Sequence, residues 1–131
     1  MKLRIKGNSL RIRVGRSELE HFLHDGRIED TVRFTPAPEA KFTYALEVSP
    51  ENTTQTQVRY APQEVAVILA PEQVRQWRQE TEVGLYTQVP LGAGDALEVI
   101  VEKDFACLDR SDEDNKDTFT NPLDGTNCQV G

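Results

Sequence analysis

The chain has 131 residues, 37% of them hydrophobic and 28% charged, and a net charge of −7 at pH 7. This length is that of one ordinary domain with its own core, and the composition is typical of a globular protein. No apolar run approaches the roughly 18 residues that a membrane span requires, so we expect no membrane partner and, by default, a cytoplasmic location. An acidic chain repels nucleic acid at long range, which argues against nucleic-acid binding without excluding it.

Alternating charged and apolar residues predict that the chain begins with two strands, Lys2 to Lys6 and Leu10 to Val14. The intervening Gly7-Asn8-Ser9 suits a hairpin turn. Ser17 has the position of a helix N-cap, and Gly26 that of the residue after the helix. Two more strands complete the first half: Ile28 to Phe34 and Lys41 to Val48.

The second half repeats this order of strand, strand, helix, strand, strand. Its predicted strands are Gln57 to Ala61, Glu64 to Ala70, Val83 to Val89 and Leu97 to Phe105. A short helix is expected to begin at Pro71, which is tolerated in a first turn, and Trp77 on its apolar stripe is expected in the core. Leu91 to Asp95 is predicted to be a loop.

A shift of about 55 residues superimposes the apolar positions of the two halves without a gap. By this shift Leu10, Ile12 and Val14 fall on Val65, Val67 and Leu69. Such self-similarity predicts a duplicated supersecondary unit. We therefore expect one strand-rich α+β domain, residues 1–105, built from two tandem units (1–50 and 51–105) with pseudo-two-fold symmetry. Residues 106–131 form an acidic C-terminal extension that we expect to pack on the domain.

Basic residues concentrate in the first hairpin, where each strand presents them on one face: Lys2, Arg4, Lys6, Arg11 and Arg13. Brought together, they form a patch suited to a phosphate or a carboxylate. The alternative is an outer sheet face paired with carboxylates such as Glu29, Glu47 or Glu102. Four of the five have uncharged counterparts in the second half: Gln57, Ala61, Ala66 and Ile68. This asymmetry is what favours a binding function unique to the first half.

The leading functional prediction is accordingly a non-enzymatic binding or regulatory protein. Its contact surface would be the basic hairpin face, and its partner a protein or a small anionic ligand.

The two cysteines, Cys107 and Cys128, leave other functions open. A disulfide is disfavoured in a cytoplasmic chain. His21 and His24 have spacing compatible with a zinc site, but nothing in the sequence brings their helix to the cysteines, so we predict no metal and no cofactor. Cys107 is a candidate reactive thiol, although no neighbouring motif supplies a base for it. An enzyme or metal-binding protein with its site around Cys107 and the acidic tail is therefore an alternative to a binding protein.

Acidic residues are dense in the tail: Asp109, Asp112, Glu113, Asp114 and Asp117. Their spacing lacks the glycine and the closing glutamate of an EF-hand, so a solvated acidic loop is expected. A second hypothesis is that this segment lies over the basic hairpin face and neutralises it, in which case raised salt would loosen the tail.

Two family resemblances follow from short motifs. The run Ile5-Lys6-Gly7-Asn8-Ser9 and the segment Glu102-Lys103-Asp104-Phe105-Ala106-Cys107-Leu108 resemble a small, functionally uncharacterised group of bacterial proteins, which implies no activity. The hairpin followed by Ser17-Glu18-Leu19 also resembles the opening of AbrB-like swapped-hairpin transcription factors and antitoxins. That second resemblance implies a dimer of strand–strand–helix–strand–strand units fused into one chain, with DNA binding as an alternative function.

Overall fold

The protein is a single strand-rich α+β domain of eight strands and two helices, in a computed structural model that describes residues 1–105 and 117–119. In chain order the elements are β1 (Lys2–Lys6), β2 (Ser9–Val14), α1 (Arg16–Asp25), β3 (Arg27–Arg33), β4 (Lys41–Val48), β5 (Gln57–Ala61), β6 (Glu64–Leu69), α2 (Pro71–Trp77), β7 (Gly84–Gly92) and β8 (Asp95–Lys103). The predicted order of elements is confirmed. Cys107, Cys128 and the acidic residues 109–114 lie outside the described residues, so the predictions made for them stay predictions.

The strands form two four-stranded sheets, and each sheet combines a hairpin from either half of the chain. Sheet A has the order β1-β2-β8-β7, and sheet B has the order β3-β4-β6-β5. The two outer pairs of each sheet are antiparallel, whereas the central pairs, β2 with β8 and β4 with β6, are parallel. Because each half supplies one hairpin to each sheet, neither half can complete a sheet alone. The domain is therefore one folding unit.

The core lies between the inward faces of the sheets and is closed by the two helices. Alternate residues of the central strands are buried, including Ile12 and Val101 at 1% exposure each. Phe22 of α1 and Trp77 of α2 meet edge to face, with ring centroids 6.3 Å apart. The prediction that Trp77 belongs to the core is confirmed, because its exposure is 0%.

The start of α1 differs from the prediction. Gly15, not Ser17, is the N-cap, and the carboxylate of Glu18 accepts a hydrogen bond from the Gly15 N–H at 2.9 Å. Gly26 ends the helix in the left-handed region at φ 78°, as expected. Within the described residues, no helix is long and apolar enough to cross a bilayer.

The last hairpin is longer and tighter than predicted. β7 runs to Gly92, so the loop expected over Leu91 to Asp95 shrinks to Ala93 and Gly94, whose φ values of 52° and 83° suit a two-residue hairpin turn. Its register also departs from the first half: Gly84 lies opposite Glu102, whereas Arg27 lies opposite Glu47. The glutamates are 55 residues apart but Arg27 and Gly84 are 57 apart, so the gap-free shift was wrong for this hairpin.

Candidate functional site: a basic pocket on the outer face of sheet A

The β1–β2 register places the predicted basic residues on one face. Lys2 lies opposite Arg13, and Arg4 lies opposite Arg11. Lys6 completes the outer side of β1 two residues beyond Arg4. The outer face of sheet A therefore carries all five side chains, next to the outward residues of β8.

Three of these five charges have carboxylate partners. Lys2 Nζ donates to Asp104 Oδ2 at 2.8 Å. Arg11 Nη1 and Arg13 Nε both donate to Glu102 Oε1, at 3.0 and 2.8 Å. The predicted alternative of a paired face holds for these three residues, with Glu102 as one of the expected partners. Such charge-assisted bonds fix the side chains against the sheet.

Arg4 and Lys6 are different, because within residues 1–105 and 117–119 neither side chain forms a hydrogen bond or an ion pair. Both line an open pocket of about 500 Å³ that Arg11 also borders, and that we call the hairpin pocket. Its other lining residues are Gly7, Asn8, Ser9, Glu98 and Ile100. Arg4 and Lys6, two cations whose side chains have no partner among the described residues, thus converge with Arg11 on one concave surface, an arrangement that can receive a phosphate or a carboxylate.

The turn beside the pocket is held by its own side chains. Gly7 has a φ of 55°, which favours glycine at that position. Ser9 Oγ donates to the Lys6 carbonyl at 2.6 Å, and Asn8 Nδ2 donates to the Ala96 carbonyl of the neighbouring hairpin at 2.9 Å. These bonds position the backbone that carries Lys6, so the pocket wall is preorganised.

On the corresponding face of sheet B, the charges around Glu47 are paired. Arg59 donates to both oxygens of Glu47, with Nη1–Oε1 at 3.1 Å and Nη2–Oε2 at 2.5 Å, and Arg27 pairs with the same carboxylate. Glu64 lies 3.2 Å from Arg27 and 3.6 Å from Arg59. The hydrogen bond from Arg59, together with the two nearby positive charges, lowers the pKa of Glu47 although burial opposes this. The four side chains form one closed network of charge pairs.

The difference between the sheets follows from two cross-strand rows. In sheet A the row is Arg4, Arg11, Ile100 and Tyr86; in sheet B the same row is Arg59, Ala66, Ala45 and Glu29. The two alanines, both 0% exposed, leave Arg59 room to lie across the sheet to its glutamate. In sheet A the position of Ala66 is held by Arg11, whose long side chain hydrogen-bonds to Glu102. Arg4 is left facing the pocket.

A second polar cluster surrounds the first residue. The Met1 ammonium pairs with Glu18 and lies 3.4 Å from Asp30 Oδ2, while the Tyr44 hydroxyl donates to the Met1 carbonyl at 3.1 Å. Burial, and then the charges of Asp30 and Glu18, raise the pKa of Tyr44. A pocket of about 300 Å³ adjoins this cluster and includes His21.

The predicted zinc alternative finds no ligand set in the part of the chain that the structure describes. There, no three His, Cys, Asp or Glu side chains are grouped so that they could hold a metal ion. His24 contacts Asp25, at 2.8 Å between Nδ1 and Oδ1. Both cysteines of the alternative fall outside the described residues.

Asp117 lies at the beginning of α1 and not on the basic hairpin face, so for this residue the hypothesis of a neutralising tail was wrong. Its carbonyl accepts the Arg16 N–H at 2.9 Å, and its carboxylate accepts the N–H and hydroxyl of Ser17 at 3.0 and 2.7 Å. The bond from the Ser17 side chain lowers the pKa of Asp117. The signal that could have revealed this contact is Gly15, an N-cap with no side chain of its own.

Lys103 is a buried charge that the sequence reasoning missed. It is 4% exposed, its Nζ donates to the Gln79 carbonyl at 2.6 Å, and it lies 5.7 Å from the centroid of the Phe119 ring. Burial lowers its pKa. The alternation of side chains along β8 could have predicted that Lys103 is buried, because Val99, Val101 and Lys103 lie on the same, inward face of this strand.

Comparison with known proteins places the chain in a family without assigning it an activity. The model of the family of unknown function DUF7009 matches residues 1–123. The chain belongs to this family. The resemblance to a functionally uncharacterised group is thereby confirmed. Beyond DUF7009, searches of curated proteins and of solved structures returned no match, so the AbrB-like resemblance gains no support and DNA binding stays a prediction.

Proposed function

We propose that this protein is a non-enzymatic binding protein that holds a small ligand bearing a phosphate or carboxylate group in the hairpin pocket. Arg4 and Lys6 would contact the anionic group, and Arg11 would border it. The observation that carries the proposal is that Arg4 and Lys6 have no partner within the described residues while they share a concave surface.

Sheet B supplies an internal comparison. Arg59 occupies in sheet B the row position of Arg4, and there two carboxylates, Glu47 and Glu64, surround it. In sheet B, the arginine at this row position thus has acidic partners. At the ladder position of Glu64, sheet A has Ser9. Ser9 adds no carboxylate to the pocket, where Arg4, Lys6 and Arg11 outnumber the one acidic lining residue, Glu98, and this excess of positive charge favours an external anion.

We also propose that the domain is a tandem pair of units, residues 1–50 and 51–105, with pseudo-two-fold symmetry, to which the acidic extension 106–131 attaches. The parallel registers support this proposal, because Val14 lies opposite Lys103 and Val48 lies opposite Leu69. A shift of 55 residues carries Val14 to Leu69 and Val48 to Lys103, so the first of these pairs becomes the second with its halves exchanged. The divergence between the halves would then mark the positions that acquired a function.

The proposed function is tested by titrating the full chain with inorganic pyrophosphate in a calorimeter. The double variant R4Q/K6Q removes two positive charges from the pocket, and R33Q/K41Q removes two from the outer face of sheet B, where Arg33 lies opposite Lys41. We expect R4Q/K6Q to weaken binding at least tenfold and R33Q/K41Q to leave it within about twofold, since hydrogen bonds to charged groups contribute roughly 1.5–3 kcal/mol each. Equal losses in both variants would show a general charge effect and refute a specific site.

A further inference from the structure

The outer face of sheet A extends beyond the hairpin pocket to an exposed aromatic ring. Ile100 borders the pocket, and Tyr86 on β7 lies directly opposite it on the outer side. Tyr86 is 64% exposed, whereas Ile100 is only 6% exposed although it belongs to an outward row. The side chains of Tyr86 and Arg11 flank Ile100, and so they cover the apolar surface that it would otherwise present.

Tyr86 and Arg11 lie on the two sides of Ile100, and both are near Glu102. Burial, and then the negative charge of Glu102, raise the pKa of Tyr86, and Arg11 Nη1 donates to the Glu102 carboxylate at 3.0 Å. A phenol ring and a guanidinium group therefore flank Ile100 on the outer face of sheet A. Aromatic rings and arginine planes are the surfaces on which nucleobases stack.

We infer that this face binds a nucleotide, with the base stacked on Tyr86 and Arg11 and the phosphate held by Arg4 and Lys6. This inference rests on the proposed function and adds the ligand class. Neighbouring strands are about 4.8 Å apart, so Tyr86 and Arg4, separated by three strand spacings, have Cα atoms roughly 14 Å apart. Their long side chains shorten this span to one that a nucleoside monophosphate bridges from base to phosphate.

The pocket also contains a hydrogen-bond acceptor for the sugar. Glu98 of β8 lines the pocket; it lies opposite Ser9 and two residues before Ile100 on the same face of the strand. A carboxylate accepts hydrogen bonds from hydroxyl groups and repels additional phosphates. The site is therefore suited to a ribonucleotide of low charge. A long polyanion is disfavoured, because the whole chain has a net charge of −7.

The test is a titration of the full chain with adenosine 5′-monophosphate, ribose 5-phosphate and inorganic pyrophosphate. Tyr86→Leu removes the stacking ring, Tyr86→Phe keeps it, and Tyr60→Leu removes another exposed tyrosine, 77% exposed, from sheet B as the matched control. We expect Y86L to weaken adenosine monophosphate binding about tenfold, in line with base–aromatic stacking, and to leave pyrophosphate binding unchanged. Y86F and Y60L should bind the nucleotide as the wild type does.

Two results would overturn the nucleotide assignment: adenosine monophosphate binding no tighter than ribose 5-phosphate, or a Y86L variant with unchanged nucleotide affinity. In either case the pyrophosphate measurements on R4Q/K6Q still decide the proposed function separately. Titration with a twelve-nucleotide single-stranded RNA distinguishes a free mononucleotide from a nucleic-acid strand as the ligand. Binding of that RNA without binding of the mononucleotide would also refute the inference.

Discussion

Replacing Ser9 with Glu should close the hairpin pocket from within the protein. Ser9 occupies in sheet A the ladder position that Glu64 has in sheet B, where Glu64 lies 3.6 Å from Arg59. The variant S9E would therefore give Arg4 the kind of partner that Arg59 already has. We expect the anion affinity to fall because the new carboxylate pairs with the Arg4 guanidinium and neutralises it.

The magnitudes can be worked from the contacts of Ser9. Loss of its 2.6 Å hydrogen bond to the Lys6 carbonyl costs about 1 kcal/mol of stability. Like-charge repulsion from Glu98, directly opposite, adds up to about 1 kcal/mol, and the new pair with Arg4 returns roughly 0.2–1 kcal/mol. S9E should therefore be less stable by about 1–2 kcal/mol but folded. Pyrophosphate affinity should fall about tenfold, which is the equivalent of one weakened charge-assisted bond.

The assay is calorimetric titration with pyrophosphate, with S9Q as the matched control. S9Q also lacks the hydroxyl but adds no charge, so it should bind nearly as well as the wild type. The double-mutant cycle with R4Q isolates the route of the effect, since S9E should add little once Arg4 is absent. Additive losses in the S9E/R4Q variant, or equal losses in S9E and S9Q, would refute the reasoning.

Three further predictions concern stability. Burial lowers the pKa of Lys103 below its ordinary 10.5, so the unfolded chain holds that proton more tightly than the folded chain does. The wild type should therefore gain stability relative to K103M as the pH rises toward 10.5. A stability difference in urea unfolding that does not change with pH would contradict this prediction. Asp117→Ala should lower the unfolding free energy by about 1 kcal/mol, as loss of a helix cap does, and should speed hydrogen exchange at the Ser17 amide; unchanged exchange would show that the contact is not formed in solution. Glu47→Gln should lower the unfolding free energy by about 1–2 kcal/mol at pH 7. Because the pKa of Glu47 is lowered from 4.5, this loss of stability should fade as the pH falls below that value. An equal loss at pH 7 and at pH 3 in urea titrations would argue against the charge network.

Local patterns were sufficient to predict the elements of this fold. Alternation predicted the strands of all four hairpins, and the apolar stripe predicted that Trp77 is buried. Capping was predicted less well, because Ser17 is a preferred N-cap residue by type, while the actual cap is Gly15 with its acceptor supplied by Asp117, 100 residues beyond Ser17. Gly15 indicates that an acceptor must come from elsewhere, but a short sequence window cannot show which distant residue supplies it.

The pairing of the sheets could not be predicted from the same patterns. That β2 pairs with β8 and β4 with β6 depends on contacts between the two halves, which no local periodicity encodes. The state of the basic residues depends on that pairing: Arg11 and Arg13 meet Glu102 only because β8 lies beside β2. The basic face could be predicted from the sequence. Only the structure shows that Lys2, Arg11 and Arg13 have carboxylate partners and that Arg4 faces the pocket.

The central claim is that the anion site lies in the hairpin pocket and on no equivalent surface of sheet B. Its most direct test is to follow backbone amide resonances of the isotope-labelled chain during titration with inorganic pyrophosphate. We predict saturable shifts confined to residues 4–11 and to Glu98, with residues 59–66 of sheet B unchanged. Shifts of equal size on both sheets, or no saturable shift at any concentration, would contradict the account.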